Sequence, residues 1–158
     1  MALVHTILHR TGEEFTVSMD TYLRELKEAV FEAYGIQDDR IQCTIHVKDI
    51  FLDERRATAC GLIVNELLSN SITHAFGDNG DGEILVSLDT TSDSNFKLIV
   101  SDNGPGMRSE QESPKDSMGL RLVKRLVDSS LKGVLRLTNH KGLTFEITFP
   151  EKSKVRGM

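Results

Sequence analysis

From Glu54 to Ala75 the chain carries one uninterrupted helical pattern of apolar residues, and no other stretch of the sequence restricts the possible folds so tightly. A helix of about six turns must cover its apolar stripe with a sheet or with other helices. Its second half, Asn65-Glu66-Leu67-Leu68-Ser69-Asn70-Ser71-Ile72-Thr73-His74-Ala75, carries polar groups that a buried helix should not want. At 3.6 residues per turn Glu66, Asn70 and Thr73 share one face, while Ile63, Leu67 and Ser71 lie on an adjacent one. Such a helix packs into a core and shows a carboxylate and an amide to something else. Taken alone, it is explained as simply by a solvated polar face. Two later stretches alter that balance: Asp102-Asn103-Gly104-Pro105-Gly106-Met107 follows a strand pattern, and Ser117-Met118-Gly119-Leu120-Arg121-Leu122-Val123 opens a helix.

The segments around this helix alternate between two periods. Leu3, Val4, Ile7 and Leu8 stand at helical spacing and predict a helix over Met1–Arg10, stopped by Thr11-Gly12. About ten residues is below the roughly 12 to 15 that an isolated helix needs, so this segment is expected to pack on something or to continue a longer upstream helix. Ser18 is the predicted N-cap of a helix buried through Met19, Leu23, Leu26, Val30 and Ala33 and ended by Gly35. Ile41, Cys43, Ile45 and Val47 then alternate with polar residues as a strand, Asp49 to Asp53 reads as a turn, and Asp53 can cap the central helix.

After the glycine-rich turn Gly77 to Gly82, strands are predicted near Glu83–Thr90 and Asn95–Ser101. Phe96, Leu98 and Val100 share a face whose parity runs on to Asp102, which aims a carboxylate at the core side. That orientation is costly unless donors meet it. Asn103–Asp116, with two glycines and two prolines, has the composition of a mobile loop. A helix from Met118 to about Ser130 follows, then two strands around Leu135–Leu137 and Phe145–Phe149, joined by Asn139-His140-Lys141-Gly142. After Pro150 the tail is polar and loose in expectation. The result is an α+β two-layer sandwich: a mixed sheet of about five strands with helices on one face.

Length and composition bound the function. With 158 residues the chain is one domain with a real core, and a formal net charge of −5 with no basic face argues against nucleic acid. No apolar run approaches the roughly 20 residues of a membrane span. Cys43 and Cys60 have no paired spacing, which predicts reduced, buried thiols in a cytoplasmic protein. The five histidines are scattered; His5 and His9, four apart, read as a surface pair rather than a metal site.

The inward carboxylate, the glycine loop, the helix opening at Met118-Gly119 and the carboxylate–amide pair make a coherent request for a ligand. Helix N-terminal amides favour phosphate, Asn70 offers a neutral oxygen to a hard cation, and Asp102 can accept from an exocyclic amine. Mg-ATP has all three complements. The chain contains neither a P-loop nor a kinase glycine-rich loop.

The three stretches resemble the N, G1 and G2 boxes of the GHKL ATPases, the group holding gyrase-type topoisomerases, MutL and sensor histidine kinases. With the closing Phe145-Glu146-Ile147-Thr148-Phe149-Pro150, the opening Met1-Ala2-Leu3-Val4-His5 and Val47 to Asp53, the resemblance is to the catalytic domain of a sensor histidine kinase subfamily. It implies a Bergerat-type ATP-binding fold over residues 13–150, a remnant of a dimerisation helix in 1–12 and a loose tail in 151–158. It further implies that Asn70 binds Mg²⁺, that Asp102 reads the adenine amine, and that Gly104 and Gly106 let the backbone pass close to the nucleotide. Gly119 and Leu120 would present amides to the phosphates, and the lid Asn103–Asp116 would contribute Met107 and a cation, Lys115 or Arg108. Thr73, His74, Met118 and Thr144 complete the implied nucleotide contacts, and Glu66 the catalytic pair with Asn70.

Two positions depart from the family pattern: Thr73 stands where a lysine is common, and Leu143 holds the place of a threonine that is shifted to Thr144. The phosphoacceptor histidine is not in the chain. The implied activity is phosphoryl transfer from ATP to a histidine on the protein's own dimerisation domain, in a homodimer that serves a response regulator. Two alternatives stay open at this point: a free-standing GHKL kinase resembling the anti-sigma serine kinases, and a nucleotide-binding module without turnover.

Overall fold

The computed structural model describes residues 8–11, 14–37, 39–76, 80–106 and 118–152. In chain order the elements are strands β1 (Leu8–Thr11) and β2 (Glu14–Ser18), helix α1 (Met19–Ala33), and strands β3 (Ile41–Val47) and β4 (Phe51–Asp53). Helix α2 (Glu54–Asn70) follows, continued by a π-helical turn over Ser71–Ala75, and then strands β5 (Gly82–Thr90) and β6 (Asn95–Asp102). Helix α3 (Met118–Leu126), prolonged by a second π-helical turn Val127–Leu131, precedes the hairpin β7 (Val134–Asn139) and β8 (Leu143–Pro150).

Five strands form the main sheet, in the order β3-β5-β6-β8-β7. β3 and β5 run parallel, with Ile41 opposite Gly82 and Val47 opposite Leu88, while every other pair is antiparallel. The sheet is therefore mixed, and the parallel pair is the one whose connection is long enough to contain β4 and α2. Alternation along the strands separates two faces. Ile84, Val86 and Leu88, then Phe96, Leu98 and Val100, then Phe145, Ile147 and Phe149 are buried toward the helices. The row Thr44, Leu85, Ser101, Thr144 and Thr138 faces the other way.

α2 lies centrally, touching both α1 and α3, and buries Ala57, Cys60, Ile63, Val64, Leu67 and Leu68. Burying the side chains of this two-layer core, at about 1.5–3 kcal/mol for each large aliphatic or aromatic group, is the main stabilising term. Polar groups fix the N-terminal end of α2. Asp53 caps it by accepting from the Arg56 amide at 3.0 Å, and the buried Arg56 guanidinium binds Asp53 at 2.6 Å and the carbonyls of Pro150 and Glu151 at 2.8 and 3.1 Å. Partial burial pushes the Asp53 carboxyl up, but the Arg56 amide and guanidinium outweigh it and hold the group below its ordinary value.

The structure corrects the N-terminal reading. Leu8–Thr11 is a strand paired with β2, Leu8 opposite Val17, so the helix predicted over Met1–Arg10 does not extend through Leu8–Arg10; Met1–Ile7 lie outside the described residues. The turn predicted at Asp49–Asp53 is a bend followed by β4, which pairs with β2 and completes a small antiparallel sheet, β1-β2-β4. The physical reason is burial: Val17 and Leu52 stand opposite each other with no exposed surface, packing this second sheet into the same core. Ser18 flanks α1 as expected, but its hydroxyl meets Thr21 Oγ1 at 3.4 Å rather than a helix amide. The tail from Ser153 lies outside the described residues.

Candidate nucleotide-binding site

Four elements meet at the C-terminal end of β6. Asp102 is the last residue of that strand, on the parity of Phe96, Leu98 and Val100, and is 8% exposed. A carboxylate so placed needs donors. Oδ1 accepts from the Gly104 amide at 3.0 Å and the Leu143 amide at 3.3 Å, and Oδ2 accepts from the Ser71 hydroxyl at 2.9 Å. These donors come from three places: the loop after β6, the β7–β8 hairpin and the π-helical turn after α2. Of about four acceptor positions on a carboxylate, donors among the described residues meet three, and the fourth is on Oδ2.

The glycine loop is held at its start. Asn103 mimics a further strand residue, its amide donating to Glu83 O at 3.2 Å while its Oδ1 accepts from Glu83 N at 2.8 Å. Gly106 has φ +73°, a left-handed conformation that favours glycine, and a side chain there would run into Asn139 Oδ1. Gly142, φ +116°, lies against the main chain of Asp102; a Cβ would collide with the Asp102 carbonyl and push the hairpin, with the Leu143 donor, away.

Glu66 and Asn70 are half-buried one turn apart on α2. The Glu66 carboxylate reaches the N-terminus of α3: a Cβ built on Gly119 would stand 2.5 Å from Glu66 Oε2. Leu120, 1% exposed, anchors that N-terminus in the core. Thr73 and His74 are exposed on the π-helical turn, and the Thr73 hydroxyl is tied back to Ser69 O at 2.8 Å. Asp102, Gly104, Gly106, Glu66, Asn70, Gly119 and Leu120 thus lie on elements that converge, with Met118 opening α3. Met107 and Lys115 lie outside the described residues.

Thr144 is not brought to this site. It belongs to the outward row of β8, its Oγ1 3.0 Å from Ser101 Oγ, on the opposite face of the sheet from Asp102. Within β8 the residue that reaches Asp102 is Leu143, through its backbone amide. Ser71 also went unassigned in the sequence reading. The available signal was its place on the Ile63–Leu67–Ser71 stripe, since a hydroxyl on a buried stripe requires a partner.

A cavity of about 520 Å³ borders the π-helical turn at Ile72 and Thr73, with Tyr34, Ile36, Asp39 and Asp81 among its other wall residues. Arg40 also lines it, but it shares only Thr73 with the predicted contacts and has neither Asp102 nor the α3 N-terminus on its wall. The two thiols supply no nucleophile, because burial pushes Cys60 up to about 12 and Cys43 up to about 11. Among the described residues no helix is long and apolar enough to cross a membrane, and no group of three or more His, Cys, Asp or Glu residues could hold a metal.

A mixed five-stranded sheet covered on one face by helices, with a buried carboxylate ending one strand beside a glycine turn, defines a two-layer ATP-binding domain of the GHKL class. Residues 55–153 match the family of histidine kinase-, DNA gyrase B-, and HSP90-like ATPases, and the chain belongs to that family. Its curated relatives include proteins named as histidine kinases. The sensor histidine kinase PdtaS of Mycobacterium tuberculosis (strain ATCC 25618 / H37Rv) is 31% identical over 138 residues, 85% of this chain and 27% of that protein. The blue-light-activated histidine kinase 2 of Erythrobacter litoralis (strain HTCC2594) is 25% identical over 112 residues, 70% of this chain and 32% of that protein. The solved structure of an Erythrobacter litoralis blue-light activated histidine kinase superposes with a TM-score of 0.79 at 23% identity, covering 89% of this chain and 44% of that one, which shows a shared fold. The chain thus spans about a third or less of the length of these two curated relatives.

Proposed function

We propose that this chain is the ATP-binding half of a protein histidine kinase, which delivers the γ-phosphoryl group of ATP to a histidine on the same protein's dimerisation domain. The observation that carries the reading is Asp102: a buried carboxylate, fixed by three donors, with one acceptor position left for a ligand's N–H. An exocyclic amine of adenine fits that position. The half-buried Asn70 stands one turn beyond Glu66, so its side-chain oxygen is the group to hold Mg²⁺. A magnesium ion takes one or two protein ligands and completes its shell with phosphate oxygens and water, so the small donor set of the described residues fits it. When bound, the ion neutralises charge on the phosphates.

The chain's own residues do the rest by position and electrostatics. Gly104 and Gly106 leave room beside the nucleotide, and the amides of Gly119 and Leu120 at the α3 N-terminus meet phosphate oxygens. Glu66, beside Gly119, orients the attacking histidine. Thr73, His74, Met118 and, from the lid, Met107 and Lys115 border the phosphates. In this reading the protein works as a cytoplasmic homodimer and passes its phosphoryl group to a response regulator, in keeping with relatives named as histidine kinases.

Asn70→Ala tests the metal role: the variant should stay folded and lose Mg-ATP affinity, and equal affinity in variant and parent would refute the assignment. The purified chain should also hydrolyse ATP slowly, because the acceptor is absent. Rapid turnover would favour a gyrase-like ATPase instead.

A further inference from the structure

Ser71 interrupts an otherwise apolar stripe. Ile63, Leu67 and Ser71 follow one another at four-residue spacing, with 0%, 1% and 6% exposure. The hydroxyl is directed at Asp102 Oδ2, 2.9 Å away. The other two donors to Asp102, the amides of Gly104 and Leu143, both act on Oδ1. Both are backbone amides, one in the loop after β6 and one at the first residue of β8. Ser71 therefore holds the oxygen that carries the open acceptor position, and it is the one side chain among the three donors.

We propose that Ser71 is a positioning residue for base recognition: its hydroxyl orients Asp102 Oδ2 so that the remaining acceptor position faces the exocyclic amine of the nucleotide. This inference rests on the reading that Asp102 faces adenine. The torsion that turns a carboxylate about its bond to Cβ is broad and roughly two-fold, so a single donor on Oδ2 decides which of its lone pairs is occupied. With that donor gone, Oδ2 is free to take a water in place of either the hydroxyl or the ligand amine. The predicted defect is loss of discrimination rather than loss of fold.

The test compares Mg-ATP with the Mg²⁺ complex of purine riboside 5′-triphosphate, which lacks the amine, by calorimetric titration of the 158-residue chain. The parent should prefer ATP by at least about ten-fold, about 1.4 kcal/mol, the least that one hydrogen bond to a charged group should contribute. In Ser71→Ala and in Ser71→Cys, which keeps the shape with a slightly larger atom but has a weak S–H donor, the preference should fall to about two-fold. Ser71→Thr should restore it, and affinity for the deamino nucleotide should change little throughout. A parent that binds both nucleotides equally removes the adenine reading itself. A parent that discriminates, with Ser71→Ala and Ser71→Cys discriminating just as well, overturns the role of Ser71 alone. Loss of cooperative folding in both variants, not reversed by ATP, would assign the hydroxyl to the fold and likewise overturn it.

Discussion

Replacing Arg56 with methionine tests whether the domain is clamped at the end of α2 remote from the nucleotide. Methionine keeps an apolar stem of similar length and removes three side-chain hydrogen bonds, to Asp53 Oδ2 and to the carbonyls of Pro150 and Glu151. It also removes the guanidinium that lies 6.0 Å from the Phe96 ring centroid. The Asp53 side chain is 44% exposed, so that ion pair counts as a surface one, under about 1 kcal/mol. Each carbonyl bond is worth about 1 kcal/mol. The sum is about 2–3 kcal/mol, which in a domain of this size lowers Tm by about 5–10 °C. ATP affinity should be unchanged, because Arg56 and Ser71 are separated by about 20 Å of helix. Thermal melts with and without Mg-ATP read both quantities. A loss below about 1 kcal/mol, or a fall in ATP affinity beyond two-fold in the folded variant, would refute the reasoning.

Gly142→Ala should act oppositely, at the site. Its φ of +116° and its contact with the Asp102 main chain force the hairpin outward, costing about 1–3 kcal/mol of stability and weakening ATP binding; titration of the folded variant checks the second effect. The partly exposed Cys43 should react slowly with an alkylating agent at pH 8 in the folded chain, while the buried Cys60 should resist alkylation until the chain unfolds. Because burial raises both above the ordinary thiol value of 9.0, to about 11 and about 12, the stability they confer is full below about pH 9 and is lost as pH rises through that window. Urea midpoints from pH 8 to 11 should show the decline, and Cys60→Ala should reduce it.

Period alone revealed the main sheet and the three helices. β3, β5, β6 and β8 are each long enough for apolar alternation to register, and α2 for its stripe to repeat. The small sheet was hidden because β4 has three residues and β1 four, too few for a period, and because Leu3, Val4, Ile7 and Leu8 also fit a helix. Asp102 was legible because strand parity carries past Val100 to the strand end. The same rule, run back from Phe145, puts Thr144 on the outer face, but the family pattern drew that residue toward adenine. The donors to Asp102 were not legible. Two are backbone amides, which no side chain announces, and the third, Ser71, becomes a partner only when α2 is laid against the end of β6.

The most direct measurement of the central claim is competition between ATP and GTP for the parent chain and for Asp102→Asn. GTP would set a carbonyl against the carboxylate, leaving two buried acceptors unpaired at about 1–3 kcal/mol each, so the parent should prefer ATP at least about ten-fold. In Asp102→Asn that preference should collapse. Equal affinity of the parent for both nucleotides would leave Asp102 as a turn residue for Gly104 and Leu143 and would contradict the account.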